Sequence, residues 1–263
     1  MTQASQPGAS LVPDWRQYRN PPIEEALCEI RFAPSADWDP TIPGLLYQAL
    51  RSEYPAKPRT QNVVEAGVRI PDGAGGEGPS FQFRHNANRV QLRSEDEKRI
   101  VGVGPDVLSV HILRPYSSWE QFRKQITSAL TAYASVAEPT GIVRIGVRYI
   151  NRISVAAEVV ELGDYFTSPP QPPDSLPQTL RSFLVRMDAV YEGEPVRLVT
   201  TFASNDADDG QTAFILDIDV VGEWSDPVAV DDALNIIDDL RAKERAGFES
   251  LITNKAREIF DAD

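Results

Sequence analysis

The feature that most constrains this chain is an order of secondary-structure signals that occurs twice. Residues 21–140 read as strand, helix, antiparallel meander and long helix, and residues 141–263 repeat that order. In the first unit Leu27, Glu29 and Arg31 alternate with Cys28, Ile30 and Phe32, the period of a strand. Residues 42–54 carry Leu45, Leu46, Ala49 and Leu50 on one side, with Pro55 beyond, the pattern of a helix. Strands are expected at 63–70, 81–85, 89–93, 100–103 and 107–113, with a turn at Asn86-Ala87-Asn88. Residues 117–137 form the clearest helix. Ser117 and Glu120 fit a capping box, and Trp119, Phe122, Ile126, Ala129, Leu130 and Tyr133 share one face.

The second unit starts with a strand at 143–153 and a short helix at 159–166. A proline-rich loop at 167–177 follows, then strands at 179–191, 196–203 and 212–221. A long helix fills 230–260, or two helices joined near Gly247. Residues 1–20 read as a flexible arm that gains order near Trp15 and Tyr18. No residue-level repeat accompanies the repeated order. Two such units predict an α+β fold: one large antiparallel sheet shared by both halves, with long helices on one face. By analogy this is a TATA-binding-protein-like saddle. Fold analogy carries no function.

Composition narrows the function classes. The chain has 263 residues, 41% hydrophobic and 25% charged, enough for a core without staples. Its formal net charge of -13 disfavours a generic nucleic-acid coat, so nucleic acid is open as a partner but not favoured. Residues 199–263 hold 16 acidic and 5 basic side chains, so the acidity is concentrated in the last quarter. Cys28 is the single cysteine, and the histidines are His85 and His111. That inventory points to no disulfide, no thiolate metal site and no cofactor. No stretch reaches the roughly 20 apolar residues of a membrane span, and the expectation is a cytoplasmic protein without a membrane partner.

Arginines are the candidate binding residues. On the strand at 143–153, Arg144, Arg148 and Arg152 share one face, opposite Ile145, Val147 and Tyr149. Arg84 opposes the Phe81 and Phe83 face, and Arg89 and Arg93 oppose Val90 and Leu92. Arg186 and Arg197 alternate with apolar neighbours in the same way. If the apolar faces all meet the helices, these arginines converge on the open sheet face. There they would hold an anionic ligand or an acidic partner, or be neutralised by Asp188, Asp217 and Asp219.

Asp217 and Asp219 are spaced to share a metal, but no third ligand is anchored by sequence. The acidic segment 205–210 fails the calcium-loop template, and the glycine-rich segments 72–79 and 102–105 fail phosphate-binding fingerprints. No nucleophile is anchored beside His85, His111 or Cys28. Asp231, Asp232, Asp238 and Asp239 crowd the start of the last helix, as a favourable dipole partner or a surface for a basic protein.

Three segments carry a family resemblance: Asn20-Pro-Pro-Ile-Glu-Glu-Ala26, Gly146-Val-Arg-Tyr-Ile-Asn-Arg-Ile153 and Phe248-Glu-Ser-Leu-Ile-Thr-Asn-Lys-Ala-Arg257. Over nearly its whole length the chain resembles an uncharacterised prokaryotic family known for its sporadic genomic distribution. The resemblance implies a stand-alone prokaryotic protein in a defence or regulatory setting, and transfers no catalytic residue. The resulting expectation is a non-catalytic binding module that uses the arginine-bearing sheet face or the cleft between halves. A metal-dependent enzyme acting on a nucleotide or nucleic acid is one alternative. A neutralising, antitoxin-like partner using the acidic C-terminal region is another. The ligand and the oligomeric state stay open.

Overall fold

Alternation decides which side of each strand is buried, and one face of the sheet collects nearly all the large apolar side chains. The computed structural model describes residues 16–34, 38–69, 80–205 and 211–261; for 61–69 and 80–88 it describes the backbone alone. In chain order the elements are β1 (Ile23–Phe32), α1 (Ile42–Leu50), β2 (Arg59–Arg69), β3 (Ser80–Arg93), β4 (Arg99–Gly104), β5 (Val107–Leu113) and α2 (Trp119–Ala137). The second half gives β6 (Ile142–Val155), α3 (Leu162–Tyr165), β7 (Leu184–Val190), β8 (Val196–Asn205), β9 (Thr212–Val228), α4 (Ala233–Leu251) and α5 (Asn254–Asp261). No described helix is long and apolar enough to cross a membrane.

The fold is α+β, built on a nine-stranded antiparallel sheet of order β2-β3-β4-β5-β1-β6-β9-β8-β7. β1 and β6 pair at its centre, with Cys28 opposite Val147 and Ile30 opposite Ile145. Outward from that pair, each half runs back from its last meander strand to its first. Along β1, Ala26, Cys28, Ile30 and Phe32 are buried, and along β6 so are Ile145, Val147, Tyr149 and Ile153. The described helices lie over this face. Leu46 and Leu50 of α1, Phe122, Ile126 and Tyr133 of α2, and Ile237 and Leu240 of α4 pack with it into one core. A second cluster joins Phe202, Phe214, Leu216 and Ile218 to Phe248, Ile252 and Phe260.

Several boundaries differ from the sequence reading. β3 runs unbroken through Asn86-Ala87-Asn88, where a turn was expected, and the register instead shifts opposite, between Gln61 and Val63. The extra residue sits in β3 itself, where Ala87 and Asn88 stand against Asn62 alone, so the turn chemistry is expressed as a bulge. The cap of α2 is Ser118, not Ser117: its hydroxyl accepts from the Gln121 N–H at 3.2 Å. The last helix breaks at Ile252, where Ile252 bridges to Phe166, and not at Gly247. β9 extends to Val228 because Ile142 of β6 pairs with it there. Of the arm, residues 16–20 are described, and there Tyr18 meets Phe260 edge-on at 5.2 Å and donates to Glu249 at 3.0 Å. The expected loop at 72–79 and most of the acidic hairpin at 205–210 lie outside the described residues.

Candidate functional site: a charge ladder across the open sheet face

Parity places the site. With Ala26, Cys28 and Ile145 turned to the helices, Glu25, Leu27, Glu29 and Arg31 of β1 take the other face. They are joined by Arg144, Arg148 and Arg152 of β6, Asp217, Asp219 and Glu223 of β9, Arg197 of β8, and Arg186 and Asp188 of β7. Arg89, Gln91 and Arg93 of β3 lie on it too. Of the sequence-derived arginines, Arg93, Arg144, Arg148, Arg152, Arg186 and Arg197 therefore share one surface. The side chain of Arg84 lies outside the described residues.

Carboxylates interleave with these arginines. One row crosses most of the sheet with alternating sign. Arg89 Nη1 lies 2.9 Å from Glu29 Oε2, and Arg144 Nη1 lies 2.9 Å from Glu29 Oε1. Arg144 Nε then reaches Glu223 at 3.3 Å, Arg197 reaches Glu223 at 3.6 Å, and Arg197 Nη1 reaches Asp188 at 3.0 Å. Two glycines permit the row. A Cβ on Gly104 would come within 3.4 Å of Arg89 Cγ, so the glycine lets Arg89 lie across β4 towards β1. A Cβ on Gly146 would stand 3.4 Å from the Arg144 guanidinium and 3.5 Å from Asp219 Oδ1.

A second row runs beside the first. Arg148 holds Asp217 bidentately, Nε to Oδ1 at 2.8 Å and Nη2 to Oδ2 at 2.6 Å. His111 Nδ1 lies 2.7 Å from Glu25 Oε1 and its Nε2 lies 3.0 Å from Ser109 Oγ. Arg186 Nη1 donates a long 3.4 Å bond to Thr201 Oγ1, and Arg93 donates to Gln91 at 2.7 Å. Burial works to raise the Glu29 carboxyl, but Arg31, Arg89 and Arg144 outweigh it and hold it below the usual carboxylate range. At Asp219 burial wins over Arg144 and Arg148, and its pKa is raised.

Ser109, His111 and Glu25 have the atom order of a nucleophile, base and orienting acid. Sequence reading missed this group because it depends on the β1–β5 register, which sets Leu27 opposite His111 and Glu29 opposite Ser109. Its chemistry is limited. Ser109 is 2% exposed, and β5 is paired on both sides, so its amides are committed to ladders and not free to stabilise an oxyanion. Among the described residues no three metal-ligating side chains cluster, and Asp217 is engaged by Arg148.

The acidic C-terminal residues divide. Asp231, Asp232 and Asp239 are exposed, whereas Asp238 receives Arg123 of α2 in two bonds of 2.8 Å and ties the two long helices together.

A separate charged group lies on the helix side, where the three resemblance segments meet. Pro21, Pro22, Ile23, Tyr149, Asn151 and Phe248 surround Arg241, Glu244 and Arg245 at a cavity of about 10 Å³, room for about one water. Arg241 pairs with Glu244 and stacks 4.3 Å above the Tyr149 ring, and Tyr149 in turn bonds the Tyr116 hydroxyl at 3.0 Å. Burial raises Glu244 to about 7 against the opposing pull of Arg241 and Arg245. The Nε atoms of Arg241 and Arg245 have no hydrogen-bond partner among the described residues. No family model matches the chain, and no curated protein matches it.

Proposed function

We propose that the chain is a non-catalytic interaction module that presents the open sheet face to a protein partner, in a prokaryotic defence or regulatory setting. The observation that carries this reading is the alternating ladder from Arg89 to Asp188. Its arginines are already paired with carboxylates, so a free anion gains little from them without displacing an intramolecular partner. A protein surface of matching alternation gains from all of them together, because charge patterning across an interface fixes register and excludes wrong partners. The face is also broad and strand-built, with the described helices all committed to the opposite side.

Arg148 is a poor probe of this surface. Removing it strips the buried Asp217 of its partner, so a loss of binding would be confounded with a loss of stability. Arg197 and Glu223 are better. They meet in the ladder at 3.6 Å with side chains 30% and 52% exposed. Replacing both by glutamine removes the two charges together; Arg144 keeps Glu29, and Asp188, which loses Arg197, is half-exposed to water. Crosslinking mass spectrometry on tagged protein in its native cell should recover a partner whose crosslinks map to β6, β8 and β9. The Arg197→Gln/Glu223→Gln protein should keep its melting temperature and lose that partner at least tenfold. Equal recovery by both proteins, or crosslinks confined to the helix side, would overturn the reading.

A further inference from the structure

Among the described strand side chains, the exposed large apolar ones all lie on β7. Leu184 is 70% exposed, Met187 47% and Val190 79%, in a strand at the end of the sheet. Long exposed edges carrying apolar side chains recruit other strands unless they are blunted. β7 lacks the usual blunting devices: it holds no proline, no lysine and no register shift.

The strand is complementary to itself. Tyr191 N–H donates to Val196 O and Ser204 N–H donates to Phe183 O, which fixes the odd-numbered residues as the ones bonded to β8. The N–H and C=O groups of Leu184, Arg186, Asp188 and Val190 therefore point outward from the sheet. Antiparallel pairing with a second copy needs these even-numbered residues opposite one another, which leaves registers centred on residues 186, 187 or 188. Centring on Arg186 or on Asp188 puts like charges face to face. Centring on Met187 sets Arg186 opposite Asp188 twice, Leu184 opposite Val190 twice, and Val185 opposite Ala189 twice, with Met187 opposite itself.

We propose that two copies of this chain join through β7 about a twofold axis at Met187, making one continuous sheet across the dimer. Every cross-strand pair in that register is apolar with apolar or positive with negative, the pairings that stabilise a sheet. Arg186 is available for it: among the described residues no carboxylate lies within ion-pair distance of its guanidinium. Asp188 keeps Arg197 at 3.0 Å while its side chain remains 50% exposed. The interface is isologous and closes, so it yields dimers and not fibres. It uses the edge of the sheet and goes beyond the proposed use of the open face.

Light scattering coupled to size exclusion on the full chain should show a dimer at micromolar concentration. Arg186→Asp and Asp188→Arg should each give a monomer with an unchanged fold by circular dichroism. In each variant like charges meet twice across the axis. An equimolar mixture of the two should recover a dimer, because every charge then faces its opposite. Met187→Cys in the otherwise native chain should crosslink to itself on oxidation, since facing Cα atoms at a non-hydrogen-bonded pair lie about 4.5 Å apart, within disulfide reach. The buried Cys28 does not compete. A monomeric native chain, dimers that persist in both reversals, or a mixture that stays monomeric would each overturn the proposal.

Discussion

At the residue scale, the informative side chains are charged groups that the fold takes out of water. Glu244 is 2% exposed and titrates near 7, against 4.5 for an ordinary glutamate. Between those values the folded chain holds a proton that the unfolded chain has released. The contribution of this group is therefore fully present below pH 4.5 and is lost as pH rises through 7. Glu244→Gln keeps the neutral form at every pH and should flatten that decline, by up to about 3 kcal/mol. Urea midpoints at pH 5 and pH 8 for both proteins check it. A native-minus-variant difference that is the same at pH 5 and pH 8 would show that Glu244 does not titrate in this range. Nothing in the sequence singled out Glu244, Arg241 or Arg245, because on a helix they read as ordinary surface residues. Their burial comes from the Asn20-Pro21-Pro22 segment and Tyr149, far away in sequence. By contrast, Arg144, Arg148 and Arg152 were legible as one face, since strand alternation is a local property. Their carboxylate partners were legible only as candidates, because pairing depends on register between strands.

At the element scale, helix ends separate two adjacent serines. Ser118 has extended backbone and its hydroxyl accepts the Gln121 N–H, which is the geometry of a cap. Ser118→Ala should cost about 1 kcal/mol, and Ser117→Ala should cost a few tenths or less. Thermal melts of the two single variants distinguish them. The opposite order would restore the Ser117 capping box read from the sequence. That reading failed because Ser117 and Ser118 both have a capping-box residue three positions on, Glu120 and Gln121, and only backbone geometry selects one. The strand boundaries show the same limit. The Asn86-Ala87-Asn88 segment has turn chemistry, yet the strand passes through it as a bulge, with Ala87 and Asn88 opposite Asn62 alone, because one extra residue costs less than ending the ladder with β2. Gly247 has helix-breaking chemistry, yet α4 continues past it against Ile218 and Leu198, and ends where Ile252 bridges to Phe166.

At the scale of the whole molecule, the repeated element order was the most legible feature, and it places β1 and β6 side by side with a meander of four strands beyond one and of three beyond the other. The two long helices, α2 and α4, are joined by Arg123 and Asp238, so the halves are bound above the sheet as well as within it. Charge segregation follows from this layout. The open face pools the arginines of both halves, while Asp231, Asp232 and Asp239 stay exposed near the start of α4 on the helix side. A chain with net charge -13 thereby presents an alternating surface on one side and an acidic one on the other.

The clasp between the arm and the last helix has a topological consequence. Asn20 N–H bonds the Phe260 carbonyl at 2.8 Å, and Arg16 pairs with Asp261, so the residues that open and close the described fold are neighbours. The connection between α2 and β6, residues 138–141, crosses only from one half to the other. A circular permutant that joins the two ends by a short flexible linker and opens at 138–141 should fold to the same sheet. Its far-ultraviolet circular dichroism and melting temperature should stay close to those of the parent. The described fold is in that sense a closed loop of two arcs, and which arc is written first along the chain is immaterial to its architecture.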